Sequence, residues 1–263
     1  TYDDLIDKDL IHFSMYDVIR SIPNIADGLK PSQRKVLYTM FKRNFQKEIK
    51  VAQLGAAVAE LTAYHHGEAS LYGTIVGMAQ DFTGSNNINL LKPNGQFGSR
   101  LTSNGKDAAS PRYIFTELNE ITRRLFLEED FNILTDQVEE GQSIEPFFYM
   151  PVLPMVLVNG AQGIGTGYST TIPSFNPEDI VHNIKLYVKG KPFRKMIPWY
   201  KGYKGKISSE EDNFIMNGVW KVEDYKNIRI TEIPIGIGIE DYKNYLEKLL
   251  LEGAYNIEDI QNN

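Results

Sequence analysis

Residues 51–82 read VAQLGAAVAELTAYHHGEASLYGTIVGMAQDF. Apolar residues recur at helical spacing across 51–64 and again across 71–82, which predicts two helices. The small residues around Gly55 would allow another element to approach the first helix closely. A helix, a short turn with a glycine and a second helix form a helix-turn-helix, whose second helix can enter the major groove of DNA. The stretch therefore predicts a helical unit of the kind that binds DNA.

A basic segment comes before this motif. Residues 30–50 contain seven basic side chains and one acid, Glu48, although the whole chain has a formal net charge of −6. Pro31 at a first-turn position predicts a helix over 31–44. Local fields decide where a polyanion binds, so this helix is a candidate for contacting phosphates. A solvated helix face is the alternative.

The turn of the motif contains two adjacent histidines, His65 and His66. A zinc site is a poor interpretation, because the chain has no Cys and no third ligand follows at a usual spacing. The pair could act as general acid and base, or as donors to DNA at a helix N-terminus, which attracts anions. Ordinary turn residues are the third possibility.

Turn-forming residues then surround a short predicted strand at 89–91. A hairpin in this place, directly after a helix-turn-helix, is what a wing looks like. Gln96 and Arg100 lie in its second half, and both are suited to phosphates or to the minor groove.

Residues 105–115 read GKDAASPRYIF. The small and turn-forming residues of this stretch are followed directly by Arg112 and Tyr113. Tyrosine is a covalent nucleophile in some enzymes, provided that a neighbouring group activates it and stabilises the charge it generates. Arginine suits a phosphate because its planar fork matches the phosphate oxygens. Taken alone, a Tyr beside an Arg is more often structural than catalytic. A helix is predicted directly afterwards, over 113–127.

The second half of the chain is predicted to be mixed. An acidic connector at 128–150 leads to a buried strand at 155–158 and a glycine-rich loop at 159–168. The loop matches neither the dinucleotide fingerprint nor the P-loop, so a nucleotide site is not expected. Ile164 stands between two glycines of that loop. It is either an ordinary packing residue or a wedge that unstacks base pairs and bends DNA. The remaining predicted elements are helices at 177–189 and 239–251 and strands near 199–206, 214–222 and 228–233.

Length and composition set the outer limits. The 263 residues suit one large or two ordinary domains. No stretch is long and apolar enough to span a membrane. The absence of Cys excludes disulfides and is typical of an intracellular chain. The abrupt start at Thr1 and the end at Asn263 suggest a fragment.

Seven segments occur in an order that identifies a family. They are DGLKP at 27–31, VAQL at 51–54, YHHGE at 64–68, GSNN at 84–87, QFG at 96–98, ASPRYIF at 109–115 and NGAQGIGTG at 159–167. Together they resemble the DNA breakage-reunion region of eukaryotic-type DNA topoisomerase II, a type IIA topoisomerase, of cellular or viral source. Any one segment could be a coincidence, but seven in order could not.

The resemblance implies an α+β fold with a helix-rich winged-helix domain at 1–150 and a mixed α/β tower domain, incomplete here, at 151–263. Tyr113 would attack a DNA phosphate and stay linked to the 5′ end, Arg112 would stabilise the transition state, and Ile164 would intercalate and bend the DNA. The residues that would hold the DNA are Lys30, Arg34, Lys35, Tyr64, His65, His66, Ser70, Gln96 and Arg100.

The resemblance also implies partners. Two chains would form a homodimer on double-stranded DNA, each cutting one strand, and a second duplex would pass through the gap. The chain has no recognisable ATP-binding module and no acidic Toprim motif. We therefore expect no metal ligand or cofactor within it, with ATP and Mg²⁺ needed by the full-length enzyme and the Mg²⁺ held by the Toprim domain of the partner protomer. A phenol is almost wholly protonated at pH 7, so the fragment alone should bind DNA without cleaving it.

Location and two rival functions stay open. The resemblance implies the nucleus for a cellular eukaryotic source and the cytoplasm for a cytoplasmic DNA virus. One rival is a non-catalytic winged-helix module in which Tyr113 is structural. The other is a scaffold fragment that docks protein through the acidic 128–150 segment and the tower.

Overall fold

The computed structural model describes residues 1–45, 47–211, 213–253 and 259–260. The chain begins with helix α1 (Tyr2–Asp4), a π-helical segment (Leu5–Leu10) and helix α2 (Ile11–Ser21). None of the residues in these three segments is buried, so their large apolar side chains lie on the surface. Within the described residues, no helix has the length and apolar character needed to cross a lipid bilayer.

Three helices form the centre of the fold. They are α3 (Pro31–Arg43), α4 (Val51–Leu61) and α5 (Glu68–Ala79). Leu37 of α3, Leu54 of α4 and Leu71 of α5 have no solvent exposure and belong to one apolar core. Helices α4 and α5 approach closely because residue 55 is glycine: a Cβ there would lie 2.5 Å from the Tyr72 ring. The predicted helix-turn-helix is confirmed.

A small antiparallel sheet lies against these helices. Its strands are β1 (Ile49–Lys50), β2 (Leu91–Asn94) and β3 (Phe115–Leu118), in the order β1-β3-β2. The predicted helix over 113–127 is therefore wrong in its first half. Strand β3 pairs with both neighbours, and a short helix, α6 (Glu120–Leu125), starts only where the Asn119 side chain caps it. Cross-strand pairing from distant segments outweighs the local helical pattern here.

The acidic segment after α6 is more ordered than the predicted connector. It forms a 3-10 helix (Glu128–Ile133) and a hairpin of β4 (Asp136–Glu139) and β5 (Gln142–Pro146). The hairpin attaches to α3 through Lys35, whose Nζ lies 2.9 Å from the buried Glu145 carboxylate and 2.7 Å from the Thr62 carbonyl oxygen. Burial raises the pKa of Glu145, and the Lys35 ammonium partly opposes that rise.

The rest of the chain consists of short helices and separate hairpins. They are α7 (Met155–Val158), the pair β6 (Ala161–Gly165) and β7 (Tyr168–Ile172), α8 (Pro177–Val188), the pairs β8 (Lys206–Glu210) with β9 (Asn213–Asn217) and β10 (Val219–Val222) with β11 (Ile228–Glu232), and α9 (Ile239–Leu251). The helix-rich first part with its small sheet and this mixed second part confirm the predicted α+β class.

Residues 155–158 correct a prediction. Their apolar run was expected to be a buried strand, but it forms one helical turn in which the Asn159 amide donates to the Met155 carbonyl oxygen at 3.0 Å. A four-residue apolar run cannot be assigned to strand or helix from periodicity.

The apolar core continues past residue 150. Met155, Val158 and Ile180 belong to the same buried cluster as the central helices. Asn87 adds a polar link, since its Nδ2 donates to the carbonyl oxygens of Val158, Phe175 and Trp199. The division into domains at 1–150 and 151–263 stays a prediction, and these contacts cross it.

A buried ion pair fixes the start of α3. The Asp27 carboxylate, which has no solvent exposure, accepts from Arg34 Nε at 2.8 Å and Nη2 at 3.0 Å, and from the amides of Leu29 and Tyr149 at 2.9 Å. A buried charge is tolerated when it is paired and its lone pairs are satisfied, as they are here. The pair thus joins α3 to the chain that follows β5.

We expect Arg34→Met to lower the free energy of unfolding by about 3–5 kcal/mol, because it leaves the Asp27 carboxylate buried without its cation. Urea unfolding measures the change. Arg43→Met is the matched control, since it removes another arginine of α3 whose partner, Glu60, is on the surface. Such an exposed pair contributes about 0–1 kcal/mol. Equal losses in the two variants would contradict the role given to the buried pair.

Candidate active site

Tyr113 lies in a turn that is attached to the N-terminus of α4. Its amide donates to the Ser110 carbonyl oxygen at 2.9 Å, and its side chain is 70% exposed. The Val51 and Ala52 amides donate to the carbonyl oxygens of Ile114 and Pro111, both at 3.1 Å. The first amides of a helix have no partner within it, so the turn satisfies groups that would otherwise need water. The turn is thereby fixed on the helix-turn-helix.

Arg112 gives this turn a positive charge. Its guanidinium carbon lies 5.4 Å from the centre of the Tyr113 ring, and its Nε donates to Ser110 Oγ at 3.4 Å. Both Arg112 and Tyr113 are exposed, so one incoming phosphate could contact both. The positive end of the α4 dipole at Val51 adds to the attraction for an anion.

The loop before the turn is held by Asp107. This carboxylate accepts from the Ser99 amide at 2.9 Å, from Ser99 Oγ at 2.6 Å and from Thr102 Oγ1 at 2.9 Å. Burial raises the pKa of Asp107, but the hydrogen bonds from Ser99 and Thr102 lower it further, to below the usual value. Gln96 is exposed beside this loop, and its carbonyl oxygen accepts from the Ala109 amide at 2.9 Å. The structure thus brings Gln96 close to the Tyr113 turn.

The histidine turn lies at the other end of α4, about 16 Å away along an eleven-residue helix. The two rings have different partners. His66 Nε2 lies 2.7 Å from the Tyr16 hydroxyl, and the His66 ring packs edge-on against the Tyr64 ring. His65 Nε2 lies 3.2 Å from a Glu139 carboxylate oxygen. They do not form an acid–base pair with each other. Ser70 is exposed in the first turn of α5, next to them.

Ile164 is on a hairpin rather than on the predicted loop. It lies within β6, pairs with Ser169 of β7 and is 76% exposed. A Cβ at Gly163 would overlap the Ser21 carbonyl oxygen, and one at Gly165 would lie 3.1 Å from Val18 Cα, so both glycines face α2. Because side chains alternate across a strand, Ile164 faces away from α2. The glycines that flank Ile164 are there because the hairpin rests on a helix backbone.

Three of the predicted DNA contacts have structural partners instead. Arg34 is bound to Asp27 in the interior, and Lys35 is bound to Glu145 and Thr62. Arg100 pairs with Glu232 and donates to the carbonyl oxygen of Ile233, which joins the wing to β11. Their charges are used within the chain, so the predicted surface role of Arg34, Lys35 and Arg100 does not fit their placement. Lys30 differs, being half-buried at the start of α3.

The structure also exposes a group of cations that the sequence prediction missed. We call it the 185–206 basic surface; its members are Lys185, Lys189, Lys191, Arg194, Lys195, Lys201, Lys204 and Lys206. All are exposed, and none forms an ion pair with any residue that the structure describes. The exposed rings of Tyr187 and Phe193 stack beside them, with centres 5.8 Å apart. The signal was available, because residues 180–209 contain no Asp or Glu.

Comparison with known proteins identifies the relatives of this chain. The family model that describes the A subunits of DNA gyrase/topoisomerase IV matches residues 20–263. The chain is 51% identical over 260 residues to a probable DNA topoisomerase 2 of Dictyostelium discoideum. It is 53% identical over 267 residues to DNA topoisomerase 2 of Arabidopsis thaliana. These alignments cover 97% and 99% of this chain but only 17% and 18% of the relatives, so it spans about a sixth of their length.

A solved structure agrees with these matches. The crystal structure of the Plasmodium falciparum topoisomerase II DNA-binding, cleavage and re-ligation domain superimposes with a TM-score of 0.95 at 53% identity. The superposition covers all of this chain and 36% of that one. The resemblance inferred from seven sequence segments is therefore confirmed, and the chain belongs to the family of DNA gyrase/topoisomerase IV A subunits, in which its named relatives are eukaryotic topoisomerase 2 proteins.

Proposed function

We propose that the protein containing this chain is a type IIA DNA topoisomerase and that the chain supplies the part that binds, bends and cuts one duplex. The observation that carries the proposal is the Tyr113 turn. An exposed phenol stands beside the exposed Arg112, on a turn fixed to the N-terminus of a helix-turn-helix. Family membership and the name of the solved relative support the same function.

The proposed reaction exchanges one phosphodiester for another. The Tyr113 hydroxyl oxygen attacks a DNA phosphorus, a tyrosyl–phosphate bond forms, and the bond from phosphorus to the 3′ oxygen breaks. The leaving 3′ oxygen gains a proton, the phenol loses one, and the 5′ end stays attached to the protein. Arg112 stabilises the charge that develops on the phosphate oxygens. Attack by the 3′ hydroxyl on the tyrosyl phosphate reverses every step and reseals the strand.

The remaining components of the reaction are proposed to come from outside this chain. Among the described residues, no three His, Asp or Glu side chains cluster in a way that could hold a metal ion. By the family resemblance, we assign Mg²⁺ to the Toprim domain of the partner protomer and ATP binding to another part of the full-length protein. When bound, Mg²⁺ would supply electrostatic stabilisation at the scissile phosphate. Two protomers would each cut one strand, so the active form is proposed to be a homodimer.

The proposed DNA-contacting surface uses exposed and half-exposed residues. Around the helix-turn-helix and wing these are Lys30, Tyr64, His65, His66, Ser70 and Gln96. Ile164 is proposed to insert between base pairs and bend the duplex, as exposed apolar wedges do in other DNA-bending proteins. The 185–206 basic surface is proposed to contact the backbone of the same duplex farther out.

We place the protein inside the cell, where its DNA substrate is. The nucleus is proposed for a cellular eukaryotic source and the cytoplasm for a cytoplasmic DNA virus. One relative from Dictyostelium discoideum, 52% identical to this chain, is named as mitochondrial, so family membership alone does not decide the compartment.

The first prediction from the proposed function concerns Tyr113. In the full-length protein, Tyr113→Phe should abolish covalent protein–DNA adducts, because phenylalanine has no oxygen to attack phosphorus. The Kd for duplex DNA should change by less than about twofold, since the turn and its charge are unaltered. Denaturing gels detect the adducts. Tyr225→Phe is the control, because Tyr225 is also exposed but lies in the β10–β11 turn. Adducts that persist in Tyr113→Phe would show that Tyr113 is structural.

The second prediction concerns Ile164. Ile164→Ala should reduce DNA bending more than DNA affinity, because alanine is too short to separate a base step while the phosphate contacts remain. Fluorescence transfer between dyes at the two ends of a short duplex reports the bend. Ile228→Ala removes a similarly exposed isoleucine from β11 and should bend DNA normally. An unchanged bend in Ile164→Ala would refute the wedge.

The third prediction concerns the 185–206 basic surface. Replacing Lys189, Lys191, Arg194 and Lys195 with alanine should reduce the slope of log Kd against log salt by at most about 3.6 units, since each phosphate contact contributes about 0.9. The matched control replaces four cations that already have carboxylate partners, Lys221, Arg229, Lys243 and Lys248, and should change the slope little. Equal slopes in both variants would remove this surface from the DNA-contacting region. A parent protein without salt-dependent DNA affinity would favour the scaffold interpretation.

A further inference from the structure

The tip of the Ile164 hairpin rests on helix α2. Gly163 lies against the Ser21 carbonyl oxygen and Gly165 against Val18, with no side chain of either glycine between the backbones. Thr166, the first residue of the hairpin turn, continues this contact. The position of Ile164 is therefore set by α2 as well as by the base of its own hairpin.

Asp17 makes the polar part of this contact. Its Oδ2 accepts from both the amide and the hydroxyl of Thr166, each at 2.9 Å. Its other oxygen, Oδ1, accepts from Arg20 at 2.9 Å, and Ser21 Oγ lies 3.4 Å from the same atom. The carboxylate is thus oriented by its own helix while it holds the hairpin turn.

Tyr16, the residue before Asp17 in α2, contacts the histidine turn. The Tyr16 hydroxyl lies 2.7 Å from His66 Nε2, and the two rings are 6.2 Å apart. Consecutive residues of an α-helix point about 100° apart, so Tyr16 and Asp17 can reach two different elements from adjacent positions. No residue of α2 is buried, so core packing contributes little to its position. The contacts of Tyr16 and Asp17 are therefore the polar ones that attach α2 to these two elements.

We propose that α2 is a strut between the His66 turn and the Ile164 hairpin, and that Asp17 is the positioning residue that aims Ile164 at DNA. The inference rests on the proposed role of Ile164 as a wedge. Asp17 does not touch DNA in this scheme. It fixes the hairpin turn, so that the energy of binding is used to separate a base step instead of displacing the hairpin.

The test compares DNA bending by full-length variants at saturating protein. Asp17→Ala should lose most of the change in fluorescence transfer that Ile164→Ala loses, while its Kd changes by less than about threefold. Thr166→Val should lose less, because the amide of residue 166 still donates to Asp17. Asp17→Asn should recover much of the bend, since its amide oxygen can still accept both hydrogen bonds from Thr166, although its NH2 group cannot accept from Arg20. The double variant Asp17→Ala with Ile164→Ala should bend DNA no less than Ile164→Ala alone.

Asp224→Ala is the matched control. Asp224 is an exposed aspartate that accepts from the amides of Lys226 and Asn227 in the turn between β10 and β11, and its loss should leave the bend unchanged. A normal bend in Asp17→Ala, with a reduced bend in Ile164→Ala, would overturn the inference and leave the wedge intact. Losses that add in full in the double variant would also overturn it, because they would show independent effects. A normal bend in Ile164→Ala would refute the wedge itself and the inference with it.

Discussion

A carboxylate that has no access to water must find all its partners inside the protein, and Asp27 imposes this requirement on distant parts of the chain. It binds the Arg34 side chain of α3 and the Tyr149 amide beyond β5. Gly28, next to it, has a φ of +70°, and a Cβ there would lie 2.6 Å from the Val156 amide nitrogen. The start of α3, the end of the acidic segment and α7 therefore meet at one turn. Helix α3 packs on α4, and the first amides of α4 bind the Tyr113 turn. The position of the exposed phenol therefore depends, through these two helices, on the buried ion pair of Asp27 and Arg34.

The sequence predicted what depends on local pattern and did less well where partners are distant. The helix-turn-helix follows from apolar spacing and a glycine turn, and the turn that carries Arg112 and Tyr113 follows from its small, turn-forming residues. The local pattern does not predict the strand that follows Tyr113, because its pairing partners in β1 and β2 both lie more than twenty residues earlier in the sequence. The basic helix predicts a surface position for Arg34, because an arginine in such a helix gives no local sign that an aspartate will be buried beside it. The glycines on both sides of Ile164 predict a loop, because they suggest mobility unless the helix that they face is known.

The net charge of this chain does not describe its individual surfaces, which differ in sign. The net charge of −6 combines an acidic segment at 114–150 with two basic regions. The acidic segment supplies Glu139 as a partner of His65 in the helix-turn-helix and Glu145 as a partner of Lys35 in α3. In the first basic region, Arg34 and Lys35 are neutralised within the fold. In the second, the cations of the 185–206 basic surface form no ion pair with any residue that the structure describes. A polyanion would therefore experience a field that the net charge of the chain does not show.

The contact of two glycines with the backbone of α2 also has a mechanical consequence. Side chains have rotatable bonds and yield when they are pushed, whereas a backbone resting directly on another backbone has little room to yield. If a duplex presses on Ile164, the load passes through Gly163 and Gly165 into the peptide groups of α2, with no compliant layer between them. The hairpin then behaves as a stiff support, and the deformation falls on the softer of the two bodies in contact. In the proposed role, the isoleucine is long enough to separate a base step, and the two missing methyl groups determine whether the hairpin or the duplex yields.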